Sequence, residues 1–271
     1  MHTIVCGAGY TGSRVLGMLP ADAATSIGRP AVDLDDPTCV LPALPPVFAL
    51  LYTVPPASDS ENDRRLECLL SKVPIPPARI VYLSTSGVYG DRRGNSVSEP
   101  DEPSPSTARA KRRLAAESYL ADWCAGRNCE LVILRVPGIY GPGRLGLERI
   151  AAGTPVIRES EAPPGNRIQV DDLAACCLRA LDASSQAGIY NVGDGDHRSG
   201  SGFTKTVARL AELGAPPEVS MAEAEKTFGE ARLSFLRESR ILDTSKMRQV
   251  LGFTPQYADP EDGIRASLES G

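Results

Sequence analysis

Histidine is scarce in this chain of 271 residues, with only His2 and His197, and the seven cysteines at positions 6, 39, 68, 124, 129, 176 and 177 form no Cys-x-x-Cys pair. Soft ligands at metal-binding spacings are therefore missing, which excludes zinc-finger frameworks. The odd cysteine count argues against a disulfide scaffold. Cys6, Cys129, Cys176 and Cys177 fall in expected strands or a helix, where cysteine behaves as a small apolar residue. A net charge of -5 argues against a nucleic-acid binder. The longest apolar stretches, such as 47–54, fall far short of a membrane span, and the N-terminus opens on a strand rather than a leader peptide. Repeats and low-complexity tracts are also lacking. These absences point to a globular cytoplasmic protein with no nucleic-acid or membrane partner. Asp194-Gly195-Asp196 opens as a calcium loop would, but its glycine is misplaced and Lys205 stands where the bidentate glutamate belongs, so no metal site is expected.

What the chain has is alternation. β-branched runs near residues 2–6, 24–28, 47–52, 79–84, 129–135 and 188–192 predict strands, and amphipathic segments near 10–19, 58–72, 106–126, 171–182 and 203–213 predict helices. The order is that of an α/β fold, a Rossmann-type doubly wound parallel sheet with helices on both faces. Residues 1–194 read as this domain, with a substrate-side insertion at about 141–168. Residues 195–271, weaker in strand signals, read as a small C-terminal substrate lobe over the carboxyl edge of the sheet.

The first strand breaks into Gly7-Ala8-Gly9-Tyr10-Thr11-Gly12 and then a helix pattern carrying Val15, Leu16 and Leu19. In this strand–turn–helix setting the glycines permit a tight turn, close approach of a pyrophosphate and close helix–strand packing. Gly7, Gly9, Tyr10, Thr11 and Gly12 are accordingly candidate cofactor contacts. The second strand ends Ser26-Ile27-Gly28-Arg29, and an arginine there suits a ribose 2′-phosphate better than a free hydroxyl. NADP is the expected cofactor, with NAD retained because Asp33, Asp35 and Asp36 follow closely.

Five further strings occur in a fixed order: Leu83-Ser84-Thr85-Ser86-Gly87-Val88-Tyr89-Gly90, then 134–144 (LRVPGIYGPGR), then 167–173 (RIQVDDL), Tyr190-Asn191-Val192-Gly193, and Leu251-Gly252-Phe253-Thr254-Pro255. Together they resemble the extended short-chain dehydrogenase/reductases, the NAD-dependent epimerase/dehydratase group, over nearly the whole chain. The resemblance implies cofactor contacts at Thr53, Pro55, Ser84, Pro137 and Gly138, and substrate contacts at Ser86 and Arg144. It also implies a hydroxyl at Thr85 that bonds the reacting oxygen, a small-molecule substrate of anionic or nucleotide-linked kind, and a homodimer. As a strand-end residue, Thr85 equally suits a purely local backbone bond. The Asp-Glu pair of sugar-nucleotide dehydratases is replaced by Ser86-Gly87, which disfavours elimination chemistry.

Two departures qualify the resemblance. The glycine spacing is GxGxxG rather than GxxGxxG, which leaves phosphate binding intact. More consequentially, the family's YxxxK pair is absent from 106–117 (STARAKRRLAAE). Anchoring on Ala116-Glu117 places Arg109 at the tyrosine position and Arg113 at the lysine position, whereas a two-residue slide gives Thr107 and Lys111. Neither frame supplies a phenol, and arginine does not give up its proton at neutral pH. Arg109 and Arg113, four apart on one helical face, suit an anion clamp or simply a solvated face. Tyr140 is a candidate displaced proton donor, and Arg149, Arg158 and Arg167 are further cationic candidates. His197 reads as an exposed loop residue, and Asp171 and Asp172 as cap and first-turn acids of a helix. The expected function is an NADP(H)-favouring oxidoreductase or epimerase-like enzyme with altered proton transfer. The alternative is a non-catalytic NAD(P)-binding module acting through a partner.

Overall fold

The computed structural model describes residues 1–270; Gly271, the last residue of the expected lobe, lies outside them. Six strands, β1 (His2–Cys6), β2 (Ala24–Ile27), β3 (Phe48–Tyr52), β4 (Arg79–Thr85), β6 (Glu130–Val136) and β10 (Gly188–Asn191), form one sheet in the order β10-β6-β4-β3-β1-β2. Every pairing in it is parallel. Helices α1 (Tyr10–Met18) and α5 (Val170–Leu181) cover one face, and α2 (Arg64–Lys72) and α3 (Ala108–Cys124) the other. Strand alternation divides the core between these layers. Val5, Leu51, Val81 and Leu134 pack towards α1 and α5, while Ile4, Leu50, Ile80 and Ile133 pack towards α2 and α3.

The predicted helix over 58–72 begins only at Arg64, because Asp63 takes the N-cap and accepts from the Leu66 amide at 3.1 Å. Between β2 and β3 there is no helix among residues 28–47. A proline-rich loop replaces it, and Val32 and Leu34 bury themselves beside α2. Asp172 is a first-turn acid of α5, but the cap is Gln169, which accepts from the Asp171 and Asp172 amides. The Asp172 carboxylate instead accepts from the Gln256 and Tyr257 amides at 2.8 and 2.9 Å, tying the C-terminal segment to the sheet layer.

The lobe is assembled from separate stretches of chain. β5 (Ser96–Val97) pairs with β12 (Ile241–Leu242), β7 (Gly138–Tyr140) with β9 (Arg167–Gln169), and β8 (Val156–Ile157) with β11 (Glu218–Val219). The helices α4 (Leu147–Ala151), α6 (Gly200–Leu210), α7 (Met221–Thr227), α8 (Glu230–Leu236), α9 (Ser245–Gln249) and α10 (Pro260–Glu269) complete it. Met247 of α9, with Leu251 and Phe253, joins the sheet core rather than the lobe core. These short pairs carry too little periodicity to be read from sequence.

Arg79 is the largest fully buried side chain. Its Nη1 donates to the Ala180 carbonyl at 2.9 Å and to Ser185 Oγ at 2.8 Å, Nη2 donates to the Ser185 carbonyl at 2.8 Å, and Nε donates to Glu130 at 3.0 Å. This guanidinium joins β4 to the end of α5, so its loss strands several acceptors in a dry interior. Arg79→Ala is expected to lower the unfolding free energy by about 3–5 kcal/mol, measured from urea denaturation. A loss below about 0.5 kcal/mol would show that the acceptors find other partners.

Candidate active site

The crossover from β1 runs through α1 on one face and that from β3 through α2 on the other, so a crevice opens where the two carboxyl ends part. The resulting cleft has a volume of about 890 Å³. Its first wall is the turn between β1 and α1. A Cβ at Gly12 would lie 2.0 Å from the Gly7 carbonyl oxygen, so helix and turn touch in a way only glycine permits. Gly7 itself has φ +98°. A Cβ at Gly9, by contrast, would meet nothing within 4 Å, so the chain is open to the cleft at that point. Gly9 is the N-cap of α1, no side chain caps the helix, and its first turn contains no acid. Exposed amides at the positive end of a helix beside open space fit a dinucleotide diphosphate. Thr53 closes the turn from β3, its hydroxyl donating to the Gly7 carbonyl at 2.6 Å.

Most of the residues nominated from sequence line this cleft: Gly7, Gly9, Tyr10, Thr11, Thr53, Pro55, Ser84, Thr85, Ser86, Arg109, Arg113, Pro137, Gly138 and Arg144. Gly12 supports the turn from behind. Tyr10 is held over the turn by its hydroxyl, which donates to the Pro142 carbonyl at 2.9 Å, and the Arg144 guanidinium lies 3.8 Å from the centre of its ring. Thr85 caps the short 3₁₀ turn Ser86–Tyr89, its Oγ1 accepting from the Gly87 amide at 3.1 Å. The local bond is therefore made, and the hydroxyl hydrogen remains available to a ligand oxygen. Ser84 is drawn beneath the floor, donating to Glu117, which in turn accepts from Arg135 Nη2 at 2.7 Å. Ser84, Glu117 and Arg135 are all buried, and their network anchors β4, α3 and β6 to one another under the cleft.

Tyr140 and Arg29 stand outside this lining. Tyr140 is no displaced proton donor: it is 3% exposed, lies edge-on to Phe203 in the lobe core, and a Cβ on Gly263 would come 2.3 Å from its hydroxyl. Alternation along β7 is the reason, since Ile139 takes the cleft side and Tyr140 the opposite one. Burial also raises its pKa. Arg29 is exposed outside the cleft lining, paired with Asp33 at 2.9 Å and Asp35 at 2.5 Å. Asp35 also pairs with Arg65 at 2.6 Å and Arg64 at 3.2 Å, so Arg29 of the loop after β2 and two arginines at the start of α2 surround the loop's two carboxylates.

Arg109 and Arg113 share a wall but not a role. Arg113 Nη1 donates to the Val54 carbonyl at 3.4 Å and the Tyr82 hydroxyl at 3.2 Å, with its guanidinium over the Tyr82 ring, which fixes it to the floor. Arg109 is exposed along the rim, where Glu238 and Arg240 are its charged neighbours; desolvation lowers its pKa, Glu238 opposes that and Arg240 adds to it. Arg240 and Glu238 were not nominated from sequence. They reach the cleft from the lobe, paired at 3.0 Å, with Glu238 also accepting from Ser106. Sequence offered no signal for them, because the segment after α8 gains its place only through the β5–β12 pairing. Arg167 lines the cleft as well, with Nη1 donating to the Arg198 carbonyl at 2.8 Å, whereas Arg149 and Arg158 do not. His197 is half-buried rather than exposed, with Nδ1 3.0 Å from Asn166 Oδ1. Six arginines thus face one cleft whose lining holds a single carboxylate, Glu238.

A Rossmann fold with this glycine turn and the motifs after β4, β6 and β9 defines a nicotinamide-dinucleotide class of protein. The comparisons make the class specific: residues 64–193 match the NAD dependent epimerase/dehydratase family. That segment, just under half of the chain, resembles the epimerase/dehydratase group of the extended short-chain dehydrogenase/reductases. It is 26% identical to the y4nG protein of Sinorhizobium fredii, covering 71% of this chain and 55% of that one. It is 29% identical to protein YeeZ of Escherichia coli, covering 84% and 77%. The chain thus spans only about half the length of the first of these relatives. Among solved structures, a functionally unknown conserved protein from Silicibacter pomeroyi has a TM-score of 0.80 at 26% identity, covering 100% and 99% of the two chains. Two more distant structures share the fold: the Thermus thermophilus UDP-glucose 4-epimerase complexed with NAD (TM-score 0.73, 22% identity, covering 99% and 98%) and RMD from Pseudomonas aeruginosa complexed with NADPH (0.74, 17%, covering 99% and 98%).

Two outcomes test this geometry. Gly9→Ala has room to fold with an unchanged melting temperature, yet is expected to weaken NADPH binding at least about tenfold by calorimetry, because the new methyl enters the phosphate approach. Unchanged affinity would place the diphosphate elsewhere. Below the cleft, Asp194 is buried, its Oδ2 has no partner, and desolvation raises its pKa to about 7. A carboxyl whose folded pKa lies above its unfolded value favours folding below the unfolded pKa and loses that contribution as pH rises through about 7. Asp194→Asn is therefore expected to raise the melting temperature at pH 8 and leave it nearly unchanged at pH 4. An equal shift at both pH values would contradict the assignment.

Proposed function

We propose that this protein is an NAD(P)-binding oxidoreductase or epimerase-like enzyme, favouring NADP(H), that acts on a small anionic or nucleotide-linked substrate with an altered proton-transfer site. The observation that carries the reading is the cleft itself, with an uncapped helix N-terminus at one end and an arginine-rich wall at the other. When bound, the nicotinamide supplies hydride transfer. The chain's own residues then have distinct tasks. The α1 amides hold the diphosphate, Tyr10 and Arg144 cover it, and Thr53 and Pro55 border it. Arg29, beside Arg64 and Arg65, suits a 2′-phosphate that competes with Asp33 and Asp35 for their guanidinium groups. Thr85 orients the reacting oxygen. Arg109 stabilises negative charge as an electrostatic partner and passes no proton, since it stays charged through any neutral-pH reaction. Cytoplasmic location, read from the sequence's composition, and a homodimer, read from the family resemblance, complete the proposal.

A specific feature also favours the non-catalytic reading. The family's lysine position is filled by an arginine already committed to Val54 and Tyr82, and the cleft's single carboxylate is held by Arg240. The two readings separate in one assay: NADPH oxidation across anionic carbonyl compounds and nucleotide sugars, with the parent and Arg109→Ala. Turnover in the parent and a loss of about 10²-fold or more in kcat/KM for the variant is expected. Binding of NADPH without turnover on any compound would favour the non-catalytic module. In parallel, Arg29→Ala is expected to weaken NADPH by about tenfold while sparing NADH; equal losses would remove the 2′-phosphate assignment.

A further inference from the structure

All seven cysteines are free thiols, but they are not alike. Cys6, Cys176 and Cys177 are enclosed in the two sheet layers. The other four meet in pairs, Cys124 with Cys129 at 3.4 Å between sulfurs and Cys39 with Cys68 at 3.9 Å. We propose that Cys124 and Cys129 form a reversible dithiol–disulfide site that fastens the C-terminal end of α3 to the entrance of β6.

The backbone brings this pair together. Gly126 and Asn128 both take positive φ, +74° and +50°, so the chain reverses within four residues after α3 and sets Cys129 beside Cys124. From 3.4 Å, the sulfurs need to close by about 1.4 Å to reach disulfide bond length, a movement within reach of side-chain rotation. Cys129 is half-buried at the surface, where an oxidant can meet it, and Cys124 lies behind it at 7% exposure. The thiol–thiol hydrogen bond lowers the pKa of Cys124, burial opposes that shift, and the nearby Arg127 guanidinium adds to it. With hydrogen peroxide as oxidant, one thiolate attacks a peroxide oxygen and breaks the O–O bond, giving a sulfenic acid and, after protonation, water. The neighbouring thiol then displaces the hydroxyl as a second water and forms the S–S bond. Two thiols are oxidised by two electrons, and one peroxide is reduced to two waters. A dithiol reductant reverses the change by exchange. Because α3 carries Arg109, Arg112 and Arg113 into the cleft wall, the site fixes the far end of the helix that presents them.

The test uses the full chain, treated with one equivalent of hydrogen peroxide, blocked with N-ethylmaleimide and mapped without reduction. The expected product is a Cys124–Cys129 cross-link that dithiothreitol reverses, with Cys6, Cys176 and Cys177 alkylated only after denaturation. The oxidised chain should melt a few degrees higher, and Cys129→Ser, a change at a half-buried position, should abolish both the cross-link and the shift. Cys124→Ala should do the same. Oxidation of Cys39 and Cys68 alone, sulfinic acid at either sulfur without a cross-link, or a melting shift that persists in Cys129→Ser would each overturn the proposal.

Discussion

The contact between Gly12 and the Gly7 carbonyl is the constraint on which the remainder of the molecule depends. A methyl group at Gly12 would lie 2.0 Å from that oxygen, so the axis of α1 is set against the end of β1 with no room for a side chain. That closeness aims the first amides of α1 across the crevice between β1 and β3 rather than over the sheet. It also leaves Gly9 open to the cleft, while Thr53 locks the turn from the neighbouring strand. Cofactor geometry here is a consequence of helix–strand packing, not of any one polar side chain.

The opposite side of the cleft is governed by charge. Six guanidinium groups beside one carboxylate repel each other unless an anion joins them. The protein meets part of this repulsion by tying individual arginines to neutral acceptors: Arg113 to Val54 and Tyr82, Arg167 to the Arg198 carbonyl. Glu238 answers another part by pairing with Arg240 beside Arg109. What remains is a wall suited to negative charge on a ligand and unsuited to moving a proton, since arginine keeps its own. The buried Ser84–Glu117–Arg135 network beneath it keeps α3 in register with the sheet, so the wall is a rigid one.

Much of this arrangement was legible in the sequence. The six sheet strands stand out because buried parallel strands read as short apolar β-branched runs, and the glycine turn because its spacing has a steric cause. The absence of a phenol at 106–117 could be read directly, and the arginines that replace it do reach the cleft. Other features were hidden for physical reasons. Tyr140 sits one residue from a cleft-lining position, and on a three-residue strand the face is decided by register that no pattern reveals. Arg240 and Glu238 depend on a two-residue pairing between segments about 145 residues apart, β5 and β12, too short to leave a periodic signal. A helix read from residue 58 starts too early, because the Asp63 cap ends the loop only there.

The central claim is that the glycine turn holds a dinucleotide diphosphate facing a wall of arginines in place of the family's phenol. The most direct measurement is a crystal structure of the protein grown with NADPH. The account predicts phosphate oxygens within hydrogen-bond distance of the α1 first-turn amides, the nicotinamide end directed towards Thr85 and Arg109, and no tyrosine hydroxyl beside the ring. A diphosphate bound away from Gly9, or a tyrosine hydroxyl in contact with the nicotinamide, would contradict it.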